Sequence, residues 1–482
     1  MKWIHAVAWG TVLAGQIGSA GPAVIDEASQ LEVQGRFKEA AAVLDHALAG
    51  SPLSPGERRQ LAFERDRLDR IRKDFPLTQE ALFDALRNSL GELTAAEFER
   101  WIGEGRFDSR EFDGERRFMV SSVSNLYWRH PELNARRLKP QDTAKHDRAV
   151  LDSCLAIQRA ARTENKPYVL PKRFHVTMTV TAEADAAPAG EPVRCWLPVP
   201  RGYPFQSGFQ LLATSSPARH LDAETSPIRS VLLEQLAQSG KPTEFRIEYE
   251  YTAHGVCFDV KPDQVRACDL GDPALAPFLR EGPHIVFTPE MRALSQQIVG
   301  GETNPCLKAK RIYDWIAEHI RYSYAIEYCT IRNISDYCRS RGYGDCGQEA
   351  LLFMTLCRMN GIPARWQSGW NTFPTGKSIH DWCEIYLAPY GWMPVDPYKG
   401  IWAMRYAFTL TPEQKRIVRD FYFGGLDQFR MAANSDHCQE LTPPKRALRS
   451  DTVDFQRGEL EWGDHNLYFD KFTYELNVRE LK

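Results

Sequence analysis

One segment constrains the fold of this chain more than any other, a run from Cys346 to Met359 that is apolar on almost every helical face. A helix without a polar face must be surrounded by protein, so we expect it at the centre of a domain. Asn360-Gly361 and then Pro363 follow the run, and these residues are typical of the C-terminal end of a helix. The sequence therefore predicts a central helix with a cysteine in its first turn.

The position of Cys346 predicts the chemistry of its thiol. Helix N-termini carry unpaired N–H groups and the positive end of the helix dipole, and both stabilise an anion. A thiol in such a place loses its proton more readily than a free cysteine does. We therefore expect the helix to lower the pKa of Cys346 and to make this residue a nucleophile.

The size and charge of the chain restrict the class of protein to which it can belong. At 482 residues the chain is long enough for roughly three domains of about 150 residues each. Its apolar fraction of 43% and its charged fraction of 26% are those of a soluble globular protein. The formal net charge of -3 gives no broad electrostatic attraction for nucleic acid. We therefore predict no nucleic-acid partner, and the sequence does not indicate an oligomeric state.

The N-terminus has the pattern of a secretory signal peptide. A mostly apolar stretch from Ala6 to Ile17 follows Lys2, and Gly18-Ser19-Ala20 supplies small residues for cleavage. The alternative is an amphipathic or disordered N-terminus, because the stretch is short and weakly charged. No other window approaches the roughly 18 consecutive apolar residues that a membrane helix needs. We expect an exported protein, periplasmic or secreted, without an integral membrane segment in the mature chain.

The eleven cysteines leave the redox chemistry open. Export would permit disulfide bonds, but their pairing cannot be read from the sequence. Cys357 and Cys383 lie in apolar runs, which favours buried free thiols at these two positions. Since no Cys-x-x-Cys pair is present, a zinc ribbon is not expected, and we predict no metal and no cofactor. The hints of pairing are two short spacings, Cys257 to Cys268 and Cys329 to Cys338.

Two kinds of segment precede the central helix. Up to about residue 162 the chain is charged and helix-like, with apolar residues such as Ala40 and Leu44 at helical spacing. Residues 174–180 and 245–251 instead alternate apolar with polar or β-branched residues, as half-buried strands do. Between them, residues 193–200 have the pattern of a strand that prolines end. We therefore predict a helical domain followed by a β-sandwich.

Prolines near residues 273 to 283 mark a linker, after which the domain of the central helix begins. The predicted boundaries are residues 1–20 for the signal peptide, 21–168 for the helical domain, 169–265 for the β-sandwich, 280–425 for the domain of the central helix and 426–482 for a β-rich C-terminal extension.

Within 280–425 the predicted order is helix, loop, helix and three strands. Residues 306–320 carry an apolar stripe on one face and form the first helix. After the central helix, the runs 363–370, 379–387 and 392–396 are typical of strands. Since the turn Pro389-Tyr390-Gly391 is short, the last two strands should pair antiparallel.

These strands carry the partners that a cysteine nucleophile needs, a base and a group that fixes the tautomer of that base. Alternation along the second strand puts His380 on one face with Trp382, Glu384 and Tyr386. Asp396 ends the third strand, and antiparallel pairing should bring it close to His380. A thiol at a helix N-terminus, packed on a sheet that bears His and then Asp, is a catalytic arrangement.

Three motifs follow one another in this region: Gly344-Asp345-Cys346, His380-x-Trp382-x-Glu384 and Gly391-Trp392-x-Pro394-Val395-Asp396-Pro397. Together they resemble the transglutaminase-like superfamily, a branch of the papain-like cysteine enzymes, over roughly residues 285 to 400. The resemblance implies an α+β fold with a papain-like transglutaminase core, in which the helix that bears the cysteine packs on an antiparallel sheet. The helical segment and the β-sandwich would precede this core, and 280–425 would be catalytic.

The catalytic triad of the superfamily carries over residue by residue to Cys346, His380 and Asp396. By this resemblance Cys346 attacks a carboxamide carbon and forms an acyl thioester, while His380 acts as acid and base and Asp396 orients it. The backbone N–H of Cys346 is one oxyanion donor by position. The resemblance implies a second donor upstream, for which Tyr322 and Tyr324 are candidates.

Other residues near the motifs have structural alternatives. Glu384 is expected to be structural, because its position in the superfamily is not one of the triad. Asp381 departs from the small residue that often follows the histidine, and it would add charge near the site without removing the triad. Three tryptophans could wall the cleft, but aromatic residues on strands are more often core, and we favour that for Trp370, Trp382 and Trp392.

Three functions follow from these motifs. The first is a cysteine-dependent hydrolase that cleaves peptide or amide bonds of a peptide or protein substrate, with water resolving the thioester; bacterial members of the superfamily resemble proteases more often than crosslinkers. The second is a protein-glutamine acyltransferase, in which a lysine amine resolves the thioester; it is weaker because no acidic loop resembles a calcium site of the animal crosslinkers. The third is a degenerate copy that serves as a binding module.

Overall fold

The computed structural model describes residues 20–50 and 52–481, and they fall into two compact units. One unit contains the residues up to Pro76 together with Ser109–Arg117, and the other contains Leu77–Asp108 and the chain from Phe118 onward. The predicted signal peptide lies outside the described residues, apart from Ala20, where the first helix begins. Within the described residues, no helix combines the length and the apolar character needed to cross a membrane.

The described residues form both helices and strands along most of their length. The α-helices are α1 Ala20–Val33, α2 Phe37–Gly50, α3 Pro55–Asp74, α4 Gln79–Leu90, α5 Ala95–Gly103, α6 Ser122–Arg129, α7 Ala144–Glu164, α8 Pro289–Val299, α9 Pro305–His319, α10 Ile334–Arg341, α11 Cys346–Met359, α12 Pro397–Arg405 and α13 Pro412–Phe421. The strands are β1 Ser109–Phe112, β2 Glu115–Phe118, β3 Tyr168–Ala182, β4 Pro192–Pro198, β5 Gln206–Thr214, β6 His220–Leu221, β7 Ser230–Leu236, β8 Thr243–Cys257, β9 Arg321–Tyr322, β10 Tyr343–Gly344, β11 Ala364–Asn371, β12 Ser378–Leu387, β13 Gly391–Val395, β14 Gly425–Leu426, β15 Arg430–Asn434, β16 Glu459–Trp462, β17 His465–Leu467 and β18 Phe472–Leu481.

The smaller unit consists of α1 to α3 and most of the β1–β2 hairpin. The ring of Phe112 on the hairpin lies 4.4 Å from that of Phe37 and 6.1 Å from that of Phe75, so the hairpin closes the apolar side of the helices. The helical N-terminal region is thus confirmed, with this hairpin as an addition that the sequence patterns did not reveal. Its strands are four residues long and mostly charged, which gives little alternation to detect.

The helices of the larger unit that precede the β-region pack around one apolar cluster. This cluster explains the aromatic residues of the segment, because they fill the space between α4, α5 and α6. Its buried members include Leu82, Leu86, Phe98, Trp101, Phe107, Phe118 and Leu126. The longer helix α7 instead packs on β3 and β8, where Ile157 is fully buried.

The central helix α11 lies where its composition predicts. Every residue from Cys346 to Arg358 is buried, and the helix packs on β11 and β12 of a four-stranded antiparallel sheet. The strand order of this sheet is β13-β12-β11-β15. Three of its strands coincide with the predicted ones to within one or two residues, and α9 coincides with the predicted first helix. The α+β fold class, with the cysteine helix on an antiparallel sheet, is therefore confirmed.

Two five-stranded antiparallel sheets form the β-region, with orders β14-β8-β3-β18, to which β5 adds by pairing with β8, and β17-β16-β4-β7-β6. They contact each other through β4, which touches both β3 and β8. The C-terminal strands contribute to both sheets, because β18 pairs with β3 over ten residues and β16 pairs with β4. The extension predicted from residue 426 therefore contributes strands to both sheets of the β-region. The exact domain boundaries stay a prediction.

The described cysteines are all free thiols. Cys357 and Cys383 are buried and unpaired, as predicted from their apolar surroundings. Neither short spacing, Cys257 to Cys268 or Cys329 to Cys338, forms a disulfide bond.

The contact between α7 and β8 depends on a residue without a side chain. A Cβ added to Gly255 would lie 2.7 Å from Cγ1 and 2.9 Å from Cδ1 of Ile157, too close for either atom. We expect Gly255→Ala to lower the free energy of unfolding by about 1–3 kcal/mol, because overpacking forces α7 away from the sheet. Urea denaturation followed by circular dichroism measures this change. Gly301→Ala is the control, since a Cβ there meets no atom within 4 Å, and equal stability of the two variants would contradict the expectation.

Candidate active site

The start of α11 is fixed by a cap and by a glycine. The carboxylate of Asp345 accepts a hydrogen bond from the backbone N–H of Gln348 (3.1 Å), and Oε1 of Gln348 accepts one from the backbone N–H of Asp345, which completes a capping box. Gly347 follows Cys346 because there is no room for a side chain. A Cβ on this residue would lie 2.2 Å from the hydroxyl of Tyr328 and 2.6 Å from Oδ2 of Asp381.

His380 and Asp396 meet as the antiparallel pairing of β12 and β13 predicts. Nε2 of His380 lies 2.8 Å from Oδ2 of Asp396, and both residues are buried. The imidazole stacks on the ring of Trp382 at 5.8 Å and meets the edge of Tyr398 at 5.4 Å. Since Nε2 faces a carboxylate, it carries the proton of the neutral imidazole. Nδ1 is then unprotonated and can accept a proton.

The carboxylate of Asp396 has further partners. Its Oδ1 caps α12 by accepting a hydrogen bond from the backbone N–H of Lys399 (3.0 Å). Nη2 of Arg430, on β15, lies 2.9 Å from Oδ2 and 3.2 Å from Oδ2 of Asp427. Burial by itself would raise the pKa of Asp396, but His380, Arg430 and Lys399 hold it well below its usual range. Asp396 is therefore ionised throughout the physiological range.

The histidine is neutral in the same range. Burial lowers the pKa of His380 below its ordinary value; Asp396 opposes this shift, and the positive charges of Arg430 and Lys399 add to it. A neutral imidazole beside an ionised carboxylate is the form that can act as a base.

Cys346 and His380 line the same cavity, which has a volume of about 330 Å³. One wall comes from α6 and the segment before α10, and it is aromatic. A second wall comes from the C-terminal segment 451–457. Lining residues from these walls include Trp128, Tyr322, Tyr324, Tyr328, Asp454 and Gln456, with Tyr398 from α12.

The two oxyanion candidates line the cavity, whereas Trp370, Trp382 and Trp392 do not; Trp370 and Trp382 are buried, and Trp392 is half-buried. Tyr322 and Tyr324 both line the cavity, and Asn125 of α6 fixes the backbone of Tyr324 through hydrogen bonds of 2.8 and 3.1 Å. Trp382 instead is fully buried and donates to Gln367 (2.9 Å) within the sheet. The aromatic wall of the cavity is formed by residues outside the motifs.

The environment of the thiol contradicts the expected activation. Sγ of Cys346 lies 3.6 Å from Oδ2 of Asp381 and donates its hydrogen bond to that carboxyl group. Burial raises the pKa of Cys346 well above its ordinary value, and the carboxyl groups of Asp381 and Asp345 raise it further. The prediction of a lowered pKa was therefore wrong. The dipole of α11 is present, but desolvation and two adjacent acids outweigh it.

Several residues of the site could not be identified from the sequence motifs. Arg430 lies on β15, and Asp454 and Gln456 lie in the C-terminal segment, all far in sequence from the motifs that they contact. Glu384, expected to be structural, binds Arg365 (2.6 Å) and Gln367 (2.7 Å) inside the sheet. Among residues 20–50 and 52–481, no group of three or more His, Cys, Asp or Glu side chains is placed to hold a metal ion.

Comparisons with known proteins agree with the motifs. Residues 292–397 match the family model described as the transglutaminase-like superfamily. The core of this chain is therefore a transglutaminase-like domain, a class that consists typically of cysteine-dependent enzymes.

Two curated proteins show sequence similarity to the chain. An uncharacterized protein of Haemophilus influenzae is 26% identical over 231 residues, which make up 42% of this chain and 62% of that protein. The uncharacterized protein YebA of Bacillus subtilis is 26% identical over 129 residues, 23% of this chain and 17% of YebA. The chain thus spans less than two thirds of the length of either relative.

Two solved structures are also among the matches. A candidate cysteine protease from Cytophaga hutchinsonii has a TM-score of 0.42 and 16% identity, and the match covers 65% of this chain and 92% of that one. The periplasmic domain of TgpA from Pseudomonas aeruginosa has a TM-score of 0.27 and 16% identity, with 48% and 90% covered.

Removing Arg430 tests how strongly the buried carboxylates depend on it. We expect Arg430→Met to lower the free energy of unfolding by about 3–5 kcal/mol, because Asp396 and Asp427 then lose their guanidinium partner inside the protein. Thermal and urea unfolding measure the loss. Arg416→Met on the exposed side of α13 is the matched control and should change stability by no more than about 0.5 kcal/mol. Similar losses in both variants would show that Arg430 has no special role.

Glu349 lies one turn after Cys346, and its burial leads us to expect an unusual dependence of protein stability on pH. It is fully buried, both carboxylate oxygens lack a hydrogen-bond partner, and burial raises its pKa well above the ordinary value. The folded state therefore holds a proton that the unfolded chain releases above about pH 4.3, so stability decreases as pH rises.

We expect Glu349→Gln to remove this decrease. The stability difference between variant and wild type should be smallest near pH 4 and should grow in favour of the variant as pH rises from about 5 to 8, by up to about 1.4 kcal/mol per pH unit. Melting temperatures across this range provide the measurement, and Glu413→Gln at an exposed position is the control. A difference that stays constant with pH would refute the assignment.

Proposed function

We propose that the chain is a cysteine-dependent hydrolase that cleaves peptide or amide bonds through an acyl thioester on Cys346. The observation that carries this proposal is the 2.8 Å bond from His380 to Asp396, with His380 and the helix-start thiol Cys346 on the wall of one cavity. Those three residues would form the catalytic triad. The apolar N-terminal pattern favours export of the enzyme, to the periplasm or beyond.

The protonation states define the first step. Because thiol and imidazole are both neutral at rest, the proton moves during attack: Sγ bonds to the carbonyl carbon while Nδ1 of His380 takes the thiol proton. The carbonyl electron pair moves to oxygen, where the backbone N–H of Cys346 can donate a hydrogen bond. Asp396, already ionised, stabilises the imidazolium that forms.

The second step releases the products. His380 returns its proton to the leaving amine, which departs as the carbonyl re-forms and leaves an acyl thioester on Cys346. A water molecule then attacks the thioester carbon while the same nitrogen takes its proton; the carbon–sulfur bond breaks, the carboxylic acid leaves, and His380 returns the proton to Sγ of Cys346. If a lysine amine attacks instead of water, the same intermediate yields a crosslink. We favour water, since the sequence has no acidic loop resembling the calcium sites of animal crosslinkers.

The cavity supports a peptide or protein substrate. About 330 Å³ is at the small end of ligand pockets, enough for a side chain and the amide beside it. Trp128, Tyr322 and Tyr324 line the cavity with flat aromatic surfaces against which a side chain of the substrate can pack.

The triad assignment predicts the effect of two substitutions. Cys346→Ser and His380→Ala should each lower turnover of a cleavable peptide by about 10⁴-fold or more, because nucleophile and base act as one unit. Both variants should keep the wild-type circular dichroism spectrum. Cys268→Ser, which alters a thiol outside the cavity, should keep full activity. Near-normal turnover by His380→Ala would disprove His380 as the base.

Two further measurements separate the three functions. The protein is incubated with a glutamine-containing peptide, with and without a primary amine, and the masses of the products are measured by mass spectrometry. New peptide termini support hydrolysis, whereas an amine adduct supports acyl transfer. An electrophilic amide probe that labels Cys346 no faster than the other thiols would instead indicate a binding module.

A further inference from the structure

A second cavity, here called the basic pocket, has a volume of about 460 Å³ and is lined mainly by basic side chains. Its acidic lining residue is Glu104. The chain as a whole carries a net charge of -3, so such a concentration of arginines is not a general property of its surface. The basic lining residues are Arg106, Arg129, Arg321, Arg341, His130 and His319.

Arg129 is the buried arginine of the basic pocket. Its Cζ lies 3.7 Å from the centre of the Tyr343 ring, and its guanidinium donates to Oγ of Ser323 at 3.0 and 2.8 Å. It also pairs with Oδ2 of Asp108, whose Oδ1 lies 3.0 Å from Nη1 of Arg341. One carboxylate is therefore shared between two guanidinium groups.

The other two arginines are less neutralised still. Nη1 of Arg321, on β9, donates to the backbone carbonyl of Arg129 at 3.0 Å, and within residues 20–50 and 52–481 this arginine has no ion pair with a carboxylate. Arg106, in the loop after α5, pairs with Glu104 through Nε at 2.6 Å. The side chain of Arg321 is exposed, so its charge is accessible to a ligand.

The excess of positive charge acts on a neighbouring imidazole. Nδ1 of His130 lies 3.3 Å from Oε1 of Glu132, a contact that by itself raises the pKa of His130. Burial and the charges of Arg106 and Arg321 nevertheless lower this pKa below its ordinary value. The carboxylates around the basic pocket thus do not cancel its positive charge.

The arginines reach the basic pocket from four separate segments, because Arg106 follows α5, Arg129 ends α6, Arg321 begins β9 and Arg341 ends α10. A single guanidinium can satisfy both oxygens of a planar carboxylate. A phosphate group instead carries up to about two negative charges and presents three acceptor oxygens in different directions. The volume of the pocket falls in the range of small-molecule sites and leaves room for a group attached to the phosphate.

We propose that the basic pocket is a binding site for a dianionic phosphate group. Arg321 and Arg341 donate hydrogen bonds to the phosphate oxygens, and the buried Arg129 adds a fixed positive charge beside them. The lining of the basic pocket includes neither Cys346 nor His380, so this site is distinct from the proposed active site. The inference therefore goes beyond the proposed hydrolase and does not depend on it.

Isothermal titration calorimetry of the full chain tests the proposal. Inorganic phosphate, phenyl phosphate and acetate are titrated separately at constant ionic strength and at about pH 7.5, where a phosphate monoester is mainly dianionic. We expect one saturable site for the phosphate compounds. Acetate should bind at least about tenfold more weakly, because it has a single charge and two oxygens. Absence of phosphate binding, or acetate binding as tight as that of phosphate, overturns the proposal.

Arginine substitutions locate the binding. Arg321→Met and Arg341→Met should each weaken phosphate binding by about tenfold or more, because each removes charge-assisted hydrogen bonds. Arg321→Lys should lose less, since it keeps the charge without the planar pair of donors. Arg416→Met on α13 removes the same charge at an exposed position outside the basic pocket and should bind phosphate as the wild type does. Circular dichroism and melting temperature verify the fold of each variant.

Wild-type affinity in both folded methionine variants, or an equal loss in the Arg416→Met control, would show that phosphate does not bind in the basic pocket. The two phosphate compounds distinguish two sources of the ligand. Tighter binding of phenyl phosphate supports a phosphorylated molecule as the ligand, whereas equal or tighter binding of inorganic phosphate supports the free ion. Neither result depends on peptide cleavage, so failure of the hydrolase assignment and failure of this inference are separate outcomes.

Discussion

The buried carboxylate of Asp396 is the interaction on which the rest of the site depends. It directly follows β13, caps α12, accepts a hydrogen bond from His380 on β12 and pairs with Arg430 on β15. An unpaired charge inside a protein costs several kcal/mol, so these partners must assemble together with it. The sheet with strand order β13-β12-β11-β15 contains these partners, so the His380–Asp396 pair depends on β15, which carries Arg430.

Two aspartates of the site lie beside the two groups between which the proposed mechanism moves a proton. Asp396 is kept ionised by Arg430 and so favours a positive charge on His380. Asp381 contacts Cys346 and, with burial, disfavours a negative charge on the sulfur. In the proposed mechanism both charges therefore appear only when a substrate carbonyl accepts the electrons of the sulfur. The proposed mechanism is therefore base-assisted attack rather than attack from a preformed ion pair.

The C-terminal part of the chain contributes both to the β-region and to the cavity that Cys346 and His380 line. Strands β16 and β18 pair with β4 and β3, while residues between β15 and β16 form a wall of the cavity. Gln456 reaches both Asp381 and the backbone of His380 from this wall. The shape of the cavity is thus set by segments on both sides of the transglutaminase-like core, with α6 supplying Trp128 from the other direction.

The sequence by itself determined the central helix, the strand pair that follows it and the approach of His380 to Asp396. These features depend on local periodicity, a short turn and residues close in the chain, which a linear pattern records directly. Only the tertiary structure decided that Arg430 holds Asp396, that Gln456 binds Asp381 and that burial raises the pKa of the Cys346 thiol. Each of these follows from burial and from contacts between distant segments, and the proton affinity of a group depends on that environment rather than on its neighbours in sequence.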